Sequence, residues 1–335
     1  MEEPSNPRGI VVPGALDDLK RAVSGKRWIS PHAKVIAVVD GKAGVAEIIE
    51  DHARGVCLGG SAWSLYHYTR NSRGVFWSKR EGPRLFYKLR ISHQGGGEPG
   101  GLQASYRPAS IESVELDGEM VRITYSGLAG AGVAALSRGL ADGVVDTDVK
   151  DWGGGKKVGR VTITVQRKEK LIIGVDDTDR ADEGATWSLV NELALELCRR
   201  IPGVDYLEHA IVQLYPQNPH KTQNCVAVSV SFAVPPTLVD QAVKAFGEML
   251  GSETFSKETG MASYRGIQVP EAAMRFARRA KEGMVTVEEA ESVAATSGFD
   301  LLRVTGSRGL IGAVASIPFV EIPDEAVRLP GDGRV

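Results

Sequence analysis

An α+β fold built as two mixed α/β units is what the sequence predicts, on three observations. At 335 residues the chain exceeds one average domain and is long enough for two separate cores. The first half alternates short strand-like and helix-like segments without a repeat of fixed period. The second half opens at residue 171 with a strand, an acid-rich turn and an amphipathic helix, after which strand and helix periodicities succeed each other.

In the first unit "KVIAVVDG" reads as a strand. "SAWSLYHYTR" with "GVFWSKR" reads as aromatic-rich strands of the core. The alternative is that Trp63, Tyr66, Tyr68, Phe76 and Trp77 stack on a base. "RLFYKLRIS" is a further strand, and "SHQGGGEPGG" is too rich in glycine for a core element and is expected as a surface loop. "SVELDGEMVRITY" predicts a hairpin turning at Asp117-Gly118, because two alternating runs flank a dipeptide suited to positive φ. "LAGAGVAALSRGLADGVV" is a glycine-led helix, and "DWGGGKKVGR" a glycine-rich turn with three basic residues. The charged segment "RKEK", residues 167–170, marks the expected boundary. The domains are then 1–168, 169–322 and a tail, 323–335.

In the second unit "LIIGVD" is a strand, and Val190, Leu193, Ala194, Leu197 and Ile201 recur at helical spacing. "YLEHAIVQLY" is another strand. "CVAVSVSFAV" places Val226, Val228, Val230, Phe232 and Val234 on one face. "TLVDQAVKAFGEML" carries a stripe of Val239, Ala242, Val243, Phe246 and Leu250. The order β-α-β-β-α is most of a ferredoxin-like split βαβ unit. Two more helices follow, the second opening on the capping box Thr286-x-x-Glu289 and closing at Gly298. "FDLLRVTGSRGLIGAVASIPF" ends the unit as a strand, a turn and a small-residue helix able to approach another backbone closely.

Composition narrows the function classes. With 42% hydrophobic and 24% charged residues the chain is globular, and its net charge of −2 gives no global attraction to nucleic acid or membrane. Three distant cysteines, no signal-like N-terminus and no apolar run of ~18–20 residues lead to a soluble, reduced, cytoplasmic expectation with no membrane contact. Neither HExxH nor GxSxG occurs, so zinc catalysis and a hydrolase elbow have no support.

Three segments carry candidate chemistry. Asp176, Asp177, Asp179, Asp182 and Glu183 crowd the turn after the strand, and repulsion among them calls for a counter-cation. Asp176, Asp177 and Asp179 are the expected metal ligands, for Mg²⁺, whose usual shell combines one or two carboxylates with phosphates and water. Gly184, just before the helix, would let backbone N–H groups face a phosphate. The turn "YPQNPHKTQNC" offers Asn218, Lys221, Thr222 and Asn224 to a phosphate-bearing ligand, or is an ordinary polar hairpin loop. In "TGSRGLIG", Arg308 and the amides around Gly309 form an anion site or a packing turn. "GGGKKVGR" lacks the spacing of a phosphate-binding loop. The basic face of Arg275, Arg278, Arg279 and Lys281 reads as a solvated helix side.

"GVDDTD", "YPQNPHKTQN" and "RGLIGAVASI", in that order, resemble motifs of archaeal isoleucine-tRNA agmatinylcytidine synthetase. In that family the first motif belongs to an ATP-dependent kinase-like domain that phosphorylates a threonine and the wobble cytidine before agmatine is attached. The resemblance implies a kinase-like acid turn, ATP and Mg²⁺ near Asp176, Asp177 and Asp179, and Asp177 with Thr186 or Ser188 as catalytic groups. It makes Asn218, Lys221, Thr222, Asn224, Arg308 and Gly309 walls of a nucleotide site. "RWISP", "GGSAW" and "GGGKKVGR", with GVDDTD, are similar to the methanogenesis marker protein 11 family found with archaeal methanogens.

The functional expectation is therefore a Mg²⁺- and ATP-dependent phosphoryl-transfer or ligase-like protein linked to methanogenesis. The alternatives are a nucleotide-binding accessory factor partnering a methanogenic enzyme, and an RNA-modifying enzyme.

Overall fold

Runs of β-branched and aromatic residues become strands in the first unit, residues 1–168. The computed structural model describes residues 15–92 and 101–332, so most of the expected glycine-rich loop at 92–101 lies outside the described residues. The elements are α1 (Ala15–Val23), β1 (Lys34–Asp40), β2 (Val45–Asp51), α2 (Leu58–Asn71), β3 (Val75–Glu81), β4 (Arg84–Arg90), β5 (Ala109–Asp117), β6 (Met120–Leu128), α3 (Gly130–Arg138), β7 (Val144–Trp152) and β8 (Val158–Asp176). Strands β1, β2, β4 and β3 pair antiparallel in that order. The early part of β8 lies between β6 and β7, with β5 outside β6.

Two expectations for this unit change. "SAWSLYHYTR" belongs to helix α2, not to a strand: Ser61, Ser64 and Tyr68 form its buried face at i, i+3 and i+7, a helical period masked by the aromatic residues between them. The β5–β6 hairpin pairs Asp117 with Met120, so its two-residue loop is Gly118-Glu119, with Gly118 at φ +59° in the first loop position where glycine is favoured. "RKEK" is the middle of β8, and the two units divide within it, between residues 168 and 169. Residues up to 168 pair inside the first unit and those from 169 inside the second.

The second unit, residues 169–335, is a mixed α/β unit. After β8 come α4 (Thr186–Arg200), β9 (Asp205–Gln213), β10 (Val226–Val234), α5 (Val239–Glu253), β11 (Gly260–Arg265), α6 (Glu271–Glu282), α7 (Val287–Ser297), β12 (Asp300–Arg303), α8 (Leu310–Ser316) and α9 (Pro323–Ala326). Its strands run β9-β10-β8-β11-β12, each antiparallel to its neighbour. Alternation along β8 serves two cores. Leu171, Ile173 and Val175 pack with Val190, Leu197, Phe246 and Leu250 of α4 and α5. Ile172 faces the other side with α6, α7 and α8. On that second side α8 presses directly on β8: a Cβ at Gly174 would lie 2.0 Å from the Ala313 carbonyl oxygen. The chain after residue 322 is not all tail, because Ala326 is buried in the α6–α8 core.

The expected cap of α7 is present as a reciprocal Thr286–Glu289 box. Arg275, Arg278 and Arg279 pair with Glu271, Glu325 and Glu289. Lys281 departs from this solvated face. It is buried, its Nζ donating to the carbonyls of Gln213 at 2.8 Å and Ala326 at 2.6 Å.

Candidate functional site

Because β8 and β9 run the same way and β10 returns, the end of β8, the β9–β10 connection and the turn before α8 meet at one edge of the sheet. They form a cleft of about 520 Å³, counted out to open solvent. Asp176, Asp177, Asp179, Asn218, Lys221, Thr222, Asn224 and Arg308 line it. Two hydrogen bonds tie these distant segments together. Arg308 Nε donates to Asp177 Oδ2 at 2.7 Å, and Thr222 Oγ1 donates to Asp179 Oδ2 at 2.9 Å.

The five acids divide. Asp182 and Glu183 are exposed and pair with Arg180 at 2.8 and 2.9 Å, so a cation within the chain already answers part of the repulsion. Asp176, Asp177 and Asp179 turn to the cleft. Asp177 holds φ +61°, a left-handed conformation that costs an ordinary residue about 1 kcal/mol. It is held there by its own N–H, which donates to Asp176 Oδ1 at 2.7 Å, and by Thr259 Oγ1, which donates to its carbonyl at 2.8 Å.

Asp176 keeps some exposed surface, but its carboxylate is packed tightly enough that a Cβ on Gly312 would lie 1.9 Å from Oδ2. That burial, and then the negative charge of Asp177, raise its pKa well above the usual carboxylate range, against the Asp177 N–H and Arg308, which lower it. The Arg308 guanidinium is driven up in turn, chiefly by its bond to Asp177. Among the described residues no three His, Cys, Asp or Glu side chains converge as a ready-made metal cage.

The remaining expected residues occupy different places. The Thr186 hydroxyl is buried, accepting from Thr178 Oγ1 at 2.9 Å and donating to Asp179 Oδ1 at 3.2 Å. Ser188 donates to the carbonyl of Ala185, the N-cap of its helix, and neither Thr186 nor Ser188 is among the cleft residues. Gly184, at φ +104°, lets the turn pass close to Asp179, whose Cβ would be 2.9 Å from a side chain there.

The turn before α8 differs from the anion nest its glycines suggested. The amides of Ser307 and Arg308 donate to Glu258 Oε2 at 3.3 and 3.1 Å, and that of Gly309 to the Glu258 carbonyl at 2.9 Å. Gly309 is a packing residue: a Cβ there would lie 2.5 Å from the Gly260 nitrogen and 2.6 Å from the Asp176 carbonyl. What this turn offers a ligand is the Arg308 side chain. "GGGKKVGR" is similar, since Gly153 and Gly159 leave room for Gly132.

Sequence reasoning passed over Cys225, a cleft residue whose thiol burial pushes up to about 11, and Glu258, which organises the Arg308 turn. Neither carries a motif of its own. Lys221, by contrast, donates to the Pro216 carbonyl within its loop and stays exposed.

Residues 172–306 match the family described as the TiaS TCKD domain. Over 301 residues the chain is 39% identical to an uncharacterized protein, MJ0921, of Methanocaldococcus jannaschii, covering 90% of this chain and 98% of that one. Over 153 residues it is 35% identical to the tRNA 2-agmatinylcytidine synthetase TiaS of Pyrococcus horikoshii, covering 44% of this chain but only 35% of the synthetase. A solved complex of TiaS with tRNA and ATP is 26% identical over 45% of this chain and 36% of that one, with a TM-score of 0.39.

Proposed function

The chain belongs to the family of the M. jannaschii protein MJ0921, and from that premise we propose that its second unit is an ATP- and Mg²⁺-dependent site modifying RNA by phosphoryl transfer or ligation. The observation that carries this reading is the joining of three segments, up to 131 residues apart, into one cleft by the Arg308–Asp177 and Thr222–Asp179 bonds. The cleft sets carboxylates beside two cationic side chains, the pairing that phosphoryl transfer uses for positioning and charge neutralisation. RNA as the acceptor is supported by the likeness of this unit to a tRNA 2-agmatinylcytidine synthetase.

The donor set fits Mg²⁺ arriving with phosphates. Asp176, Asp177 and Asp179 supply hard oxygens without forming a closed cage, and Mg²⁺ commonly keeps positions for phosphate and water. In this reading one or two of the carboxylates hold the cation. Lys221 and Arg308 contact phosphates, and Asn218 and Asn224 orient the ligand. Asp179 can take a proton from Thr186, which already donates to it, so Thr186 is the better placed of the two hydroxyls.

Titration of ATP with Mg²⁺ into wild type and Asp177→Asn tests the site. Binding that requires Mg²⁺ and weakens about tenfold or more in the variant is expected, with ATP consumption stimulated by transfer RNA. Absence of binding at saturating Mg²⁺ would sink the proposal. A second reading, a nucleotide-binding accessory factor for a methanogenic enzyme, is favoured by one observation: Asp177 is already engaged by Arg308. It predicts binding without turnover.

A further inference from the structure

The formal charge of −2 conceals two opposed units. Residues 1–168 hold 24 Lys and Arg against 18 Asp and Glu, a formal +6, and residues 169–335 hold 16 against 24, a formal −8. In the first unit the excess has an address. From His52 to Arg80 there is no carboxylate, whereas Arg54, Arg70, Arg73, Lys79 and Arg80 all fall there. Arg70, Arg73 and Arg80 are exposed, and Arg70 and Arg73 have no ion-pair partner among the described residues.

This stretch builds α2 and β3, which touch through Thr69 and Ser78, their hydroxyl oxygens 2.8 Å apart. The outward side of α2 leaves Trp63 38% and Tyr66 56% exposed, and Phe76 of β3 is 47% exposed. The Arg70 guanidinium lies 5.0 Å from the centre of the Tyr66 ring, and the Trp63 and Tyr66 rings flank His67 at 4.4 and 5.0 Å. Half-exposed aromatic faces interleaved with arginines, Arg70 and Arg73 among them without a carboxylate partner, are well matched to a strand of bases and phosphates.

We propose that the outer face of α2, with β3, binds single-stranded nucleic acid, stacking bases on Trp63, Tyr66 and Phe76 and placing phosphates against Arg70, Arg73 and Arg80. The surface deepens the RNA-directed reading of the second unit and lies wholly within the first.

The test is fluorescence anisotropy with the full chain and a labelled mixed-sequence RNA strand, the same sequence as single-stranded DNA, and an RNA duplex. Binding to either single strand should fall with added salt. Tyr66→Ala should weaken it roughly tenfold, within the range of one lost base stack. Arg73→Gln should flatten the salt slope by roughly 0.7, one phosphate's share. Phe76→Ala repeats the stacking test on β3; should that variant not fold, Tyr66→Ala on the helix surface still decides. No binding at low salt, unchanged affinity in the variants, or a preference for duplex would overturn the proposal. So would a change in sedimentation of Tyr66→Ala in place of a change in RNA affinity, which would mark the face as a contact between copies. ATP titration of the wild-type chain, beside the RNA measurement, separates the two proposals. Nucleotide binding without RNA binding removes this surface, and RNA binding without nucleotide binding removes the proposed chemistry.

Discussion

Two of the molecule's arginine–carboxylate pairs, Arg138–Glu50 and Arg308–Asp177, share their chemistry and differ in their surroundings. In the first unit Arg138 and Glu50 are both fully buried. Nε and Nη2 reach the two carboxylate oxygens at 2.9 and 2.7 Å, Nη1 donates to the Ala134 carbonyl at 3.0 Å, and the guanidinium lies 4.7 and 4.6 Å from the Tyr68 and Tyr125 ring centres. In the second unit Arg308 reaches Asp177 through Nε, with side chains 39% and 15% exposed, on a residue with positive φ and beside two more carboxylates. The first pair spends its hydrogen-bonding capacity within the fold. The second keeps donors and acceptors turned to a cleft. Burial and completeness of pairing, more than the presence of an ion pair, separate a structural pair from a candidate site.

The largest effect expected from breaking this contrast is at Arg138. Arg138→Ala leaves Glu50 charged and buried, and should lower stability by about 3–5 kcal/mol in denaturant unfolding. A second effect belongs to the same cluster. Burial first, and then the charge of Arg138, lower the pKa of His52 from 6.5 to about 4, and His32 is lowered for the same reasons. Both are neutral in the fold near pH 7. Because the unfolded chain binds these protons more readily, the stabilisation is complete above pH 6.5 and is lost as pH falls from 6.5 towards about 4. For His52 this amounts to about 3 kcal/mol, which His52→Gln should abolish in unfolding measured across that range.

Gly312→Ala sharpens the comparison from the other side. The new Cβ would displace the Asp176 carboxylate, so a cost of about 1–3 kcal/mol in stability is expected, together with loss of Mg²⁺-dependent ATP binding in calorimetry. Smallest in stability is Arg308→Gln. A half-exposed pair is worth up to about 1 kcal/mol. Nucleotide affinity should drop while the unfolding midpoint barely moves, the reverse of what Arg138→Ala does.

Much of the second unit was legible because the end of β8 is a short continuous apolar run, β10 alternates large and small residues, and the helical stripes of α4 and α5 repeat without interruption. The cleft residues were legible as separate polar or acidic turns, and the resemblance joined them. Their bonds were not, since nothing in local spacing places Thr222 on Asp179 or Arg308 on Asp177. Whether an amide is free for an anion was also hidden. The answer for Ser307 and Arg308 lies with Glu258, about fifty residues earlier in the chain. In the first unit, aromatic residues in α2 obscured a period carried by two serines and a tyrosine. The opposed charges of the two units cancelled in the whole-chain sum.

The glycines around Asp176 carry one more implication. Gly309 brings the start of α8 against Gly260 and the Asp176 carbonyl, and Gly312 brings α8 against the Asp176 carboxylate. The spacing between Arg308 and the acid turn is therefore set by backbone against backbone, with few rotatable bonds between them. A ligand entering this cleft would have little left to immobilise on that wall, so the entropic penalty of binding should fall mainly on the exposed Lys221–Asn224 loop.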